Sequence, residues 1–555
     1  MATINFKGKE IVRNYHLAVP YHELTPDAKK SLTKKVSLND NLIIHGDNLL
    51  ALKALLPTYA GKVKCIYIDP PYNTGNEKWA YNDNVNSPMM KEWLGKVVDK
   101  DDLTRHDKWL CMMMPRLKLL RELLRDDGVI FVSIDNNEID HLRMLMDEVF
   151  HENFLGIISV VNNLKGRSDD EFIATANEFL LVYVKDKELY EMGGFPLSEE
   201  QLKEYDEEDK WGKYKEVGFR KTGKGWHRED RPNMFYPIYF NEKTGEISVE
   251  RKNKNDIEIL PLTSDGQEGR WRWERGKFLE RKDKDIVVRK VGTGRWQVFT
   301  KMRLNENGEE RTLLPKSVWI DPKYDTAKGA VLLREIFGED LFDNPKPLDF
   351  ITDILRVSTD KNDPILDSFA GSGTTAHATL ALNKEDGGNR KFILVEMEDY
   401  VDKITAERVR RVIKGVKGAK DENLKNGLGG SFSYFELGKP IDAERILKGE
   451  DLPSFVEMAR YIFYTATGEE FNEKKINEKT GFIGESREYK VYLLYKPDLE
   501  YLKSTALTLD WAQKLGKFSG KKRLVFAPTK YLDHEHLERL GIEFAQLPFD
   551  IYQKT

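Results

Sequence analysis

"PILDSFAGSGTTAHATLALN" (Pro364–Asn383) decides the fold. A short apolar run ends in Asp367. "GSGTTA" (Gly371–Ala376) then matches G-x-G-x-x-G/A, and the residues after it read as a helix. Glycines let a backbone approach a ligand closely, and a helix start offers free N–H groups. Glu396 follows Ala376 by 20 residues, at the end of the next apolar run, "RKFILVEME". An acid there is placed to accept hydrogen bonds from ribose hydroxyls. The unit predicts an adenosine-bearing cofactor, with a tight strand–helix turn as the bland alternative. The loop alone leaves NAD and S-adenosylmethionine both open.

Working outward, strand and helix patterns alternate on both sides. "LIIH", "VKCIYI", "VIFVSID" and "FLLVYVK" (179–185) are continuous apolar runs, the signature of strands covered on both faces. Between them, "LLALKALL" and "NEIDHLRMLMDEVF" have helical periodicity. "KWLCMMMPRLKLLRELLRDDG" reads as a helix ended by Gly128, with Pro115 kinking it or marking its true start. The Met112–Met114 run predicts core packing. A polar stretch over 73–103 predicts a mobile loop. The fold class expected is α/β, a Rossmann-like sheet. The domains expected are an N-terminal arm (1–40), a first half of the α/β sheet (41–185), an insert (186–330), a second half (331–425) and, after the hinge "NGLGGS" (426–431), a small mixed α/β C-terminal domain (426–555).

Composition narrows the class. Two cysteines, Cys65 and Cys111, exclude a disulfide scaffold and predict a reducing, cytoplasmic setting. No apolar stretch approaches the roughly 18 residues of a membrane span. The net charge is −5, but residues 211–330 hold 27 Lys+Arg against 19 Asp+Glu and six of the ten tryptophans. A basic, aromatic-rich block in an acidic chain is a candidate nucleic-acid surface. Lys221, Lys224, Arg228, Arg231, Arg270, Arg272 and Arg275 are its candidate DNA contacts. "GFRKTGKG" (218–225) narrowly misses a phosphate-binding P-loop because Gly225 ends it and no strand–helix setting surrounds it. His45 and His106 read as ordinary polar residues.

"IYIDPPYNTG" (Ile66–Gly75) separates the two cofactors. Nicotinamide chemistry has no use for Asp-Pro-Pro-Tyr, but the amino group of a nucleobase does. The adenine N6 lone pair is delocalised into the ring. It becomes nucleophilic when acceptors hold its hydrogens and let the nitrogen pyramidalise. Asp69 can take one hydrogen and the Pro70 carbonyl the other, with Pro70 and Pro71 fixing the backbone that aims it. Tyr72 offers a ring for an extruded base. No metal is required by this chemistry.

"DPPY" (69–72) followed, after a variable region, by "FAGSG" (369–373) resembles the β class of DNA amino-methyltransferases, whose leading Asp favours adenine N6. "HGDNL" (His45–Leu49) and "NPKP" (Asn344–Pro347) resemble further motifs of that family. The resemblance implies Asp69, Pro70, Pro71 and Tyr72 as the catalytic stretch. It also implies S-adenosylmethionine held by Asp47, Phe369, Ala370, Gly371, Gly373, Thr374, Glu396 and Lys346. "KGWHREDRPNMFYPIY", "LLPKSVWID" and "FDNPKPLDF" look like modification (Mod) subunits of type III restriction–modification systems. That likeness implies an insert that reads double-stranded DNA, a homodimer and a Res-type nuclease partner. The rival readings are a recognition subunit that mainly positions a nuclease, an RNA or protein-glutamine methyltransferase, and an oxidoreductase.

Overall fold

The computed structural model describes residues 3–74, 105–166, 171–292, 294–306, 308–518 and 520–548. The loop expected over 73–103 lies outside the described residues from residue 75 onward. Ten strands join one sheet: β1 (Tyr21–Leu32), β2 (Leu42–His45), β3 (Val63–Ile68), β4 (Leu124–Ile134), β5 (Phe154–Val161), β6 (Asn177–Val184), β7 (Val318–Trp319), β8 (Pro364–Asp367), β9 (Lys391–Glu396) and β10 (Phe432–Ile441). Their spatial order is β1-β10-β2-β9-β8-β3-β4-β6-β5-β7. The six strands from β10 to β4 run parallel, and β6 is antiparallel to both β4 and β5.

The parallel strands are buried because helices cover both faces, as their unbroken apolar runs require. Alternate residues of β2 and β9 point to opposite faces. Leu42, Ile44, Ile393 and Val395 pack with helices α1 (Asn48–Tyr59), α2 (Arg105–Leu123) and α3 (Ile139–Phe150). Ile43, Phe392 and Leu394 pack on the other face, against α4 (Thr326–Phe337), α6 (Thr374–Asp386) and α7 (Ala406–Lys414). On the face that Tyr67 presents, the Phe350 ring of α5 (Leu348–Ser358) meets Tyr67 edge-on at 6.1 Å. Each fully buried Leu, Ile or Val contributes about 1.5–3 kcal/mol, so these two layers hold the sheet between them.

Residues 194–314 form a second compact unit, and all other described residues belong to the first. The insert expected at 186–330 is therefore narrower. Residues 186–193 and 315–330 belong to the first unit because Val318–Trp319 pairs with β5 and Trp319 stacks on Tyr324. The second unit has its own core around Phe219, Trp271 and Phe278, beneath antiparallel strands that include Ile286–Val291 and Arg295–Arg303. Its ends are tied together where Phe195 pairs with Leu313 and Pro196 with Thr312.

Other boundaries also move. The expected N-terminal arm contains β1, which closes one sheet edge by pairing with β10. "NGLGGS" is not a domain hinge, because β10 follows it directly into the main sheet. Helix α8 (Phe455–Thr467) and a four-stranded C-terminal sheet share the apolar core of α1–α3. α2 runs through Pro115 without ending, with the Arg116 guanidinium holding the Met112 carbonyl at 2.8 Å. It stops at Leu123, not Gly128, because β4 begins at once and pairs Leu124 with Val63. Gly128 lies inside β4, where a Cβ would sit 3.0 Å from the Val63 carbonyl. Both cysteines are buried thiols. Among the described residues no helix is long and apolar enough to cross a membrane.

Replacing residues 194–314 by a short Gly/Ser linker should leave the first unit folded, since the insert's own ladder brings its ends together. Far-UV circular dichroism and a retained cooperative thermal transition check this; a chain without a transition would show that the sheet needs the insert.

Candidate active site

Parallel strands that end at one edge deliver their loops to one place. β3 leads into Asp69–Tyr72, β8 into Ser368–Gly373, and β9 ends on Glu396. Between β3 and β8 the chain diverges: β3 continues through α2 to β4 on one side, and β8 through α6 to β9 on the other. Such switch points open crevices. Here a cavity of about 440 Å³ is lined by Asp69, Lys346, Asp367, Gly371, Glu396 and Tyr400, among others. Gly371 and Gly373 have φ of +52° and +79°, which other L-residues rarely adopt. A Cβ on Gly373 would lie 3.2 Å from the Thr405 carbonyl. The Glu396 carboxylate accepts the N–H groups of Gly371 (2.7 Å), Met397 (2.9 Å) and Glu398 (3.1 Å), so it shapes the loop as well as lining the cavity.

A second cluster adjoins this cavity. The Tyr72 hydroxyl donates to Asp69 Oδ1 at 2.8 Å, with Glu178 Oε2 at 3.2 Å as a second acceptor. Lys346 Nζ donates to the Tyr72 hydroxyl (2.7 Å) and to both Glu178 oxygens (2.8 and 2.7 Å), and stands 3.3 Å from Asp69 Oδ1. β6 runs against β4, so it brings its first residues, Glu178 among them, to the edge where the parallel strands end. Burial pushes the Asp69 carboxyl up, and Lys346 opposes that push. Burial disfavours the Lys346 ammonium, but Asp69 and Glu178 outweigh it and hold its pKa above the ordinary lysine value. Burial, then Asp69 and Glu178, keep the Tyr72 phenol neutral.

The structure brings most of the expected site residues together. Asp69, Pro71, Lys346, Phe369, Ala370, Gly371, Thr374 and Glu396 all line the cavity, and Gly373 caps α6 beside it. Asp47 does not line it. Its carboxylate caps α1 through the N–H groups of Leu49 and Leu50 and lies 3.6 Å from Arg116. Lys346, expected near the cofactor, lines the cavity and directs its ammonium into the Asp69–Tyr72–Glu178 cluster. The two proline carbonyls differ. That of Pro71 accepts from Trp109 Nε1 at 2.7 Å, whereas that of Pro70 meets no donor among the described residues. Asn73, at φ +57°, donates to the fully buried Glu138, which also accepts from His106 Nδ1 at 2.7 Å. Glu178, Trp109 and Glu138 were not singled out in the sequence. Glu178 had the best signal, an acid directly before the apolar run of its strand.

In the second unit, Arg270 and Arg272 donate to the Gly225 (2.6 Å) and Gly218 (2.8 Å) carbonyls and brace its loops. Arg228 and Arg275 lie in exposed ion pairs with Glu268 and Glu250. Lys221, Lys224 and Arg231 have no side-chain partner among the described residues.

The DNA methylase family, N6_N4_Mtase, matches residues 63–407. This chain belongs to that family. The EcoPI Mod subunit, from a type III restriction–modification enzyme of Escherichia phage P1, is 33% identical over 457 residues, covering 77% of this chain and 70% of that protein. The type II methyltransferase M.KpnI of Klebsiella pneumoniae is 38% identical over 384 residues, 69% of this chain and 86% of that protein. The solved PvuII cytosine-N4 methyltransferase covers 70% of this chain and 89% of its own, at 11% identity and a TM-score of 0.35, a likeness too weak to bear on function. The family member described here is an S-adenosylmethionine-dependent DNA methyltransferase, with relatives among restriction–modification enzymes.

The cavity suits that cofactor. Asp69, Asp367, Glu396 and Glu398 line it with Lys346 as the single Lys or Arg among the described lining residues. A ligand carrying a sulfonium and an ammonium complements this charge, whereas a pyrophosphate would be repelled. Burial raises the Asp367 carboxyl to about 7, despite hydrogen bonds from Thr375 and the Phe369 N–H. A cationic ligand favours its ionised form, so binding should tighten as pH rises through about 7 and level off above it. The gain between pH 6 and 8 should be about tenfold if only the carboxylate form binds. Calorimetric titration with S-adenosylmethionine should show this slope and proton release; Asp367→Asn should flatten both.

Proposed function

We propose that Asp69, the Pro70 carbonyl and Tyr72 carry methyl transfer to adenine N6, with the Phe369–Thr374 loop and Glu396 holding the cofactor. The observation that carries this is the pairing of β3 with β8, which places the Asp-Pro-Pro-Tyr stretch and the glycine loop on one cavity. When bound, S-adenosylmethionine supplies an activated methyl group. The chain's own residues prepare the amino nitrogen. The Asp69 carboxylate accepts one N6 hydrogen, and the Pro70 carbonyl, free of a donor among the described residues, accepts the other. The Tyr72 ring supports the extruded base. Positioning and fixed dipoles supply most of the rate, and the proton leaves to solvent after transfer.

The 194–314 unit is the reader of the DNA site in this proposal. Its Lys221, Lys224 and Arg231, without a side-chain partner among the described residues, suit phosphates, while Arg228 and Arg275 can exchange their surface acids for base or backbone contacts. Arg270 and Arg272 act indirectly, by bracing the loops. A homodimer and a Res-type partner follow from the Mod-like relatives, and the mass of the purified chain in solution tests the first. The reading as a pure recognition subunit is weaker, because Asp69, Tyr72 and the glycine loop are all intact.

Asp69→Ala should lower transfer by at least about a thousandfold while leaving cofactor and DNA affinity within a few-fold. Nucleoside analysis for N6-methyladenine after incubation with unmethylated genomic DNA measures this, and wild-type-like turnover in the variant would sink the assignment. Replacing Lys221, Lys224 and Arg231 together by Ala should weaken DNA binding on every sequence and reduce the log–log salt slope by about 3. An unchanged slope would move the DNA surface elsewhere.

A further inference from the structure

We propose that Glu178 and Lys346 are positioning residues of the transfer reaction. Glu178 is the second acceptor that lets the Tyr72 hydroxyl leave Asp69 when the base arrives, and Lys346 holds both carboxylates in place for that exchange. The inference rests on the reading of Asp69 as acceptor of an amino hydrogen.

A phenol has one proton to donate. Lys346 Nζ donates to the Tyr72 oxygen at 2.7 Å, so the hydroxyl proton must point away from the ammonium, toward a carboxylate. Two lie within reach, Asp69 Oδ1 at 2.8 Å and Glu178 Oε2 at 3.2 Å. The nearer bond occupies the Asp69 oxygen that also has Lys346 at 3.3 Å. An amino hydrogen directed at Asp69 Oδ1, the oxygen that both the phenol and Lys346 approach, competes with the phenol for it. Breaking the phenol's bond without replacement would strand a buried donor, which is costly. Glu178 removes that cost. Its other donors, Lys346 on both oxygens and Asn162 Nδ2 at 3.3 Å, fix its carboxylate next to the ring. The exchange needs a rotation of one O–H alone, because both acceptors lie within hydrogen-bond reach of the same hydroxyl.

Lys346 has a second effect. The charged and titratable groups facing Asp69 are Lys346, Glu178, Tyr72, Tyr67 and Asp367. Lys346 is the single cation in that set among the described residues, and its charge opposes the burial that pushes the Asp69 carboxyl up, so it favours Asp69 as an acceptor. If Glu178 served only to neutralise Lys346, the hydroxyl of Tyr72 would be irrelevant to its importance.

A double-mutant cycle separates these cases. Single-turnover transfer is measured by rapid quench for wild type, Glu178→Gln, Tyr72→Phe and the double variant, on DNA carrying the site found with the wild-type chain. Cofactor binding and circular dichroism confirm that each is folded. Glu178→Gln should slow transfer about 10- to 100-fold with little change in DNA affinity. In the Tyr72→Phe background, where no hydroxyl needs a second acceptor, the same change should cost less than about threefold. Equal losses in both backgrounds would overturn the exchange. Lys346→Met should move the acid limb of the transfer rate to higher pH and Lys346→Arg should restore it; an unmoved limb overturns the role of Lys346. No transfer by the wild-type chain would overturn the proposed function and this inference with it, whereas transfer with equal losses overturns the inference alone.

Discussion

Everything functional in the first unit depends on β3 and β8 being parallel neighbours. Their backbone ladder, with Cys65 opposite Ile365 and Ile66 opposite Leu366, fixes two loops that are about 300 residues apart in the chain to within one cavity. Neither loop could form its site alone. The Asp-Pro-Pro-Tyr turn offers acceptors and a ring, and the glycine turn offers backbone that a ligand can approach closely. The apolar layers on both faces keep that ladder from sliding, because a slip of one residue would turn Ile66 and Leu366 out of their cores.

Charge is the second constraint. The edge collects acids from four strands: Asp69 after β3, Asp367 and Glu396 at the ends of β8 and β9, and Glu178 near the start of β6. Burying so many carboxylates together is unfavourable unless cations or N–H groups meet them. Different solutions appear at each. Glu396 is met by backbone N–H groups, Asp69 and Glu178 share Lys346, and Asp367 has its carboxyl raised to about 7. The last is the least compensated, which makes it the group most sensitive to a cationic ligand. The bond from Asn73 to Glu138 and the bond from Trp109 to the Pro71 carbonyl brace the Asp-Pro-Pro-Tyr turn.

Much of this was legible in the linear chain. The two motifs carry backbone and charge requirements that only certain residues meet: glycines at +52° and +79°, adjacent prolines, an acid at the end of each strand. Continuous apolar runs announced strands covered on both faces, and they are. Boundaries were less legible because local signals compete. Gly128 looks like a helix stop but sits in a strand where β4 crowds Val63, and Pro115 looks like a break that tertiary packing carries the helix across. Asp47 looks like a cofactor contact, yet its carboxylate is used on the start of α1.

By itself, then, the sequence showed the residue types: an acid, two prolines and an aromatic ring in one stretch, glycines in a second, and surplus positive charge in a third. Those properties belong to residue type and local spacing. Only the tertiary structure decided which acids share a cation, because that depends on strand order and direction. Glu178 reaches Tyr72 and Lys346 because β6 runs against its neighbours, and no local pattern in "ANEFLLVYVK" records the direction of the strand beside it. The same holds for the basic residues of the second unit. Their number was visible in the chain, but which of them brace loops and which have no side-chain partner among the described residues was settled by where the fold placed carbonyls and acids around them.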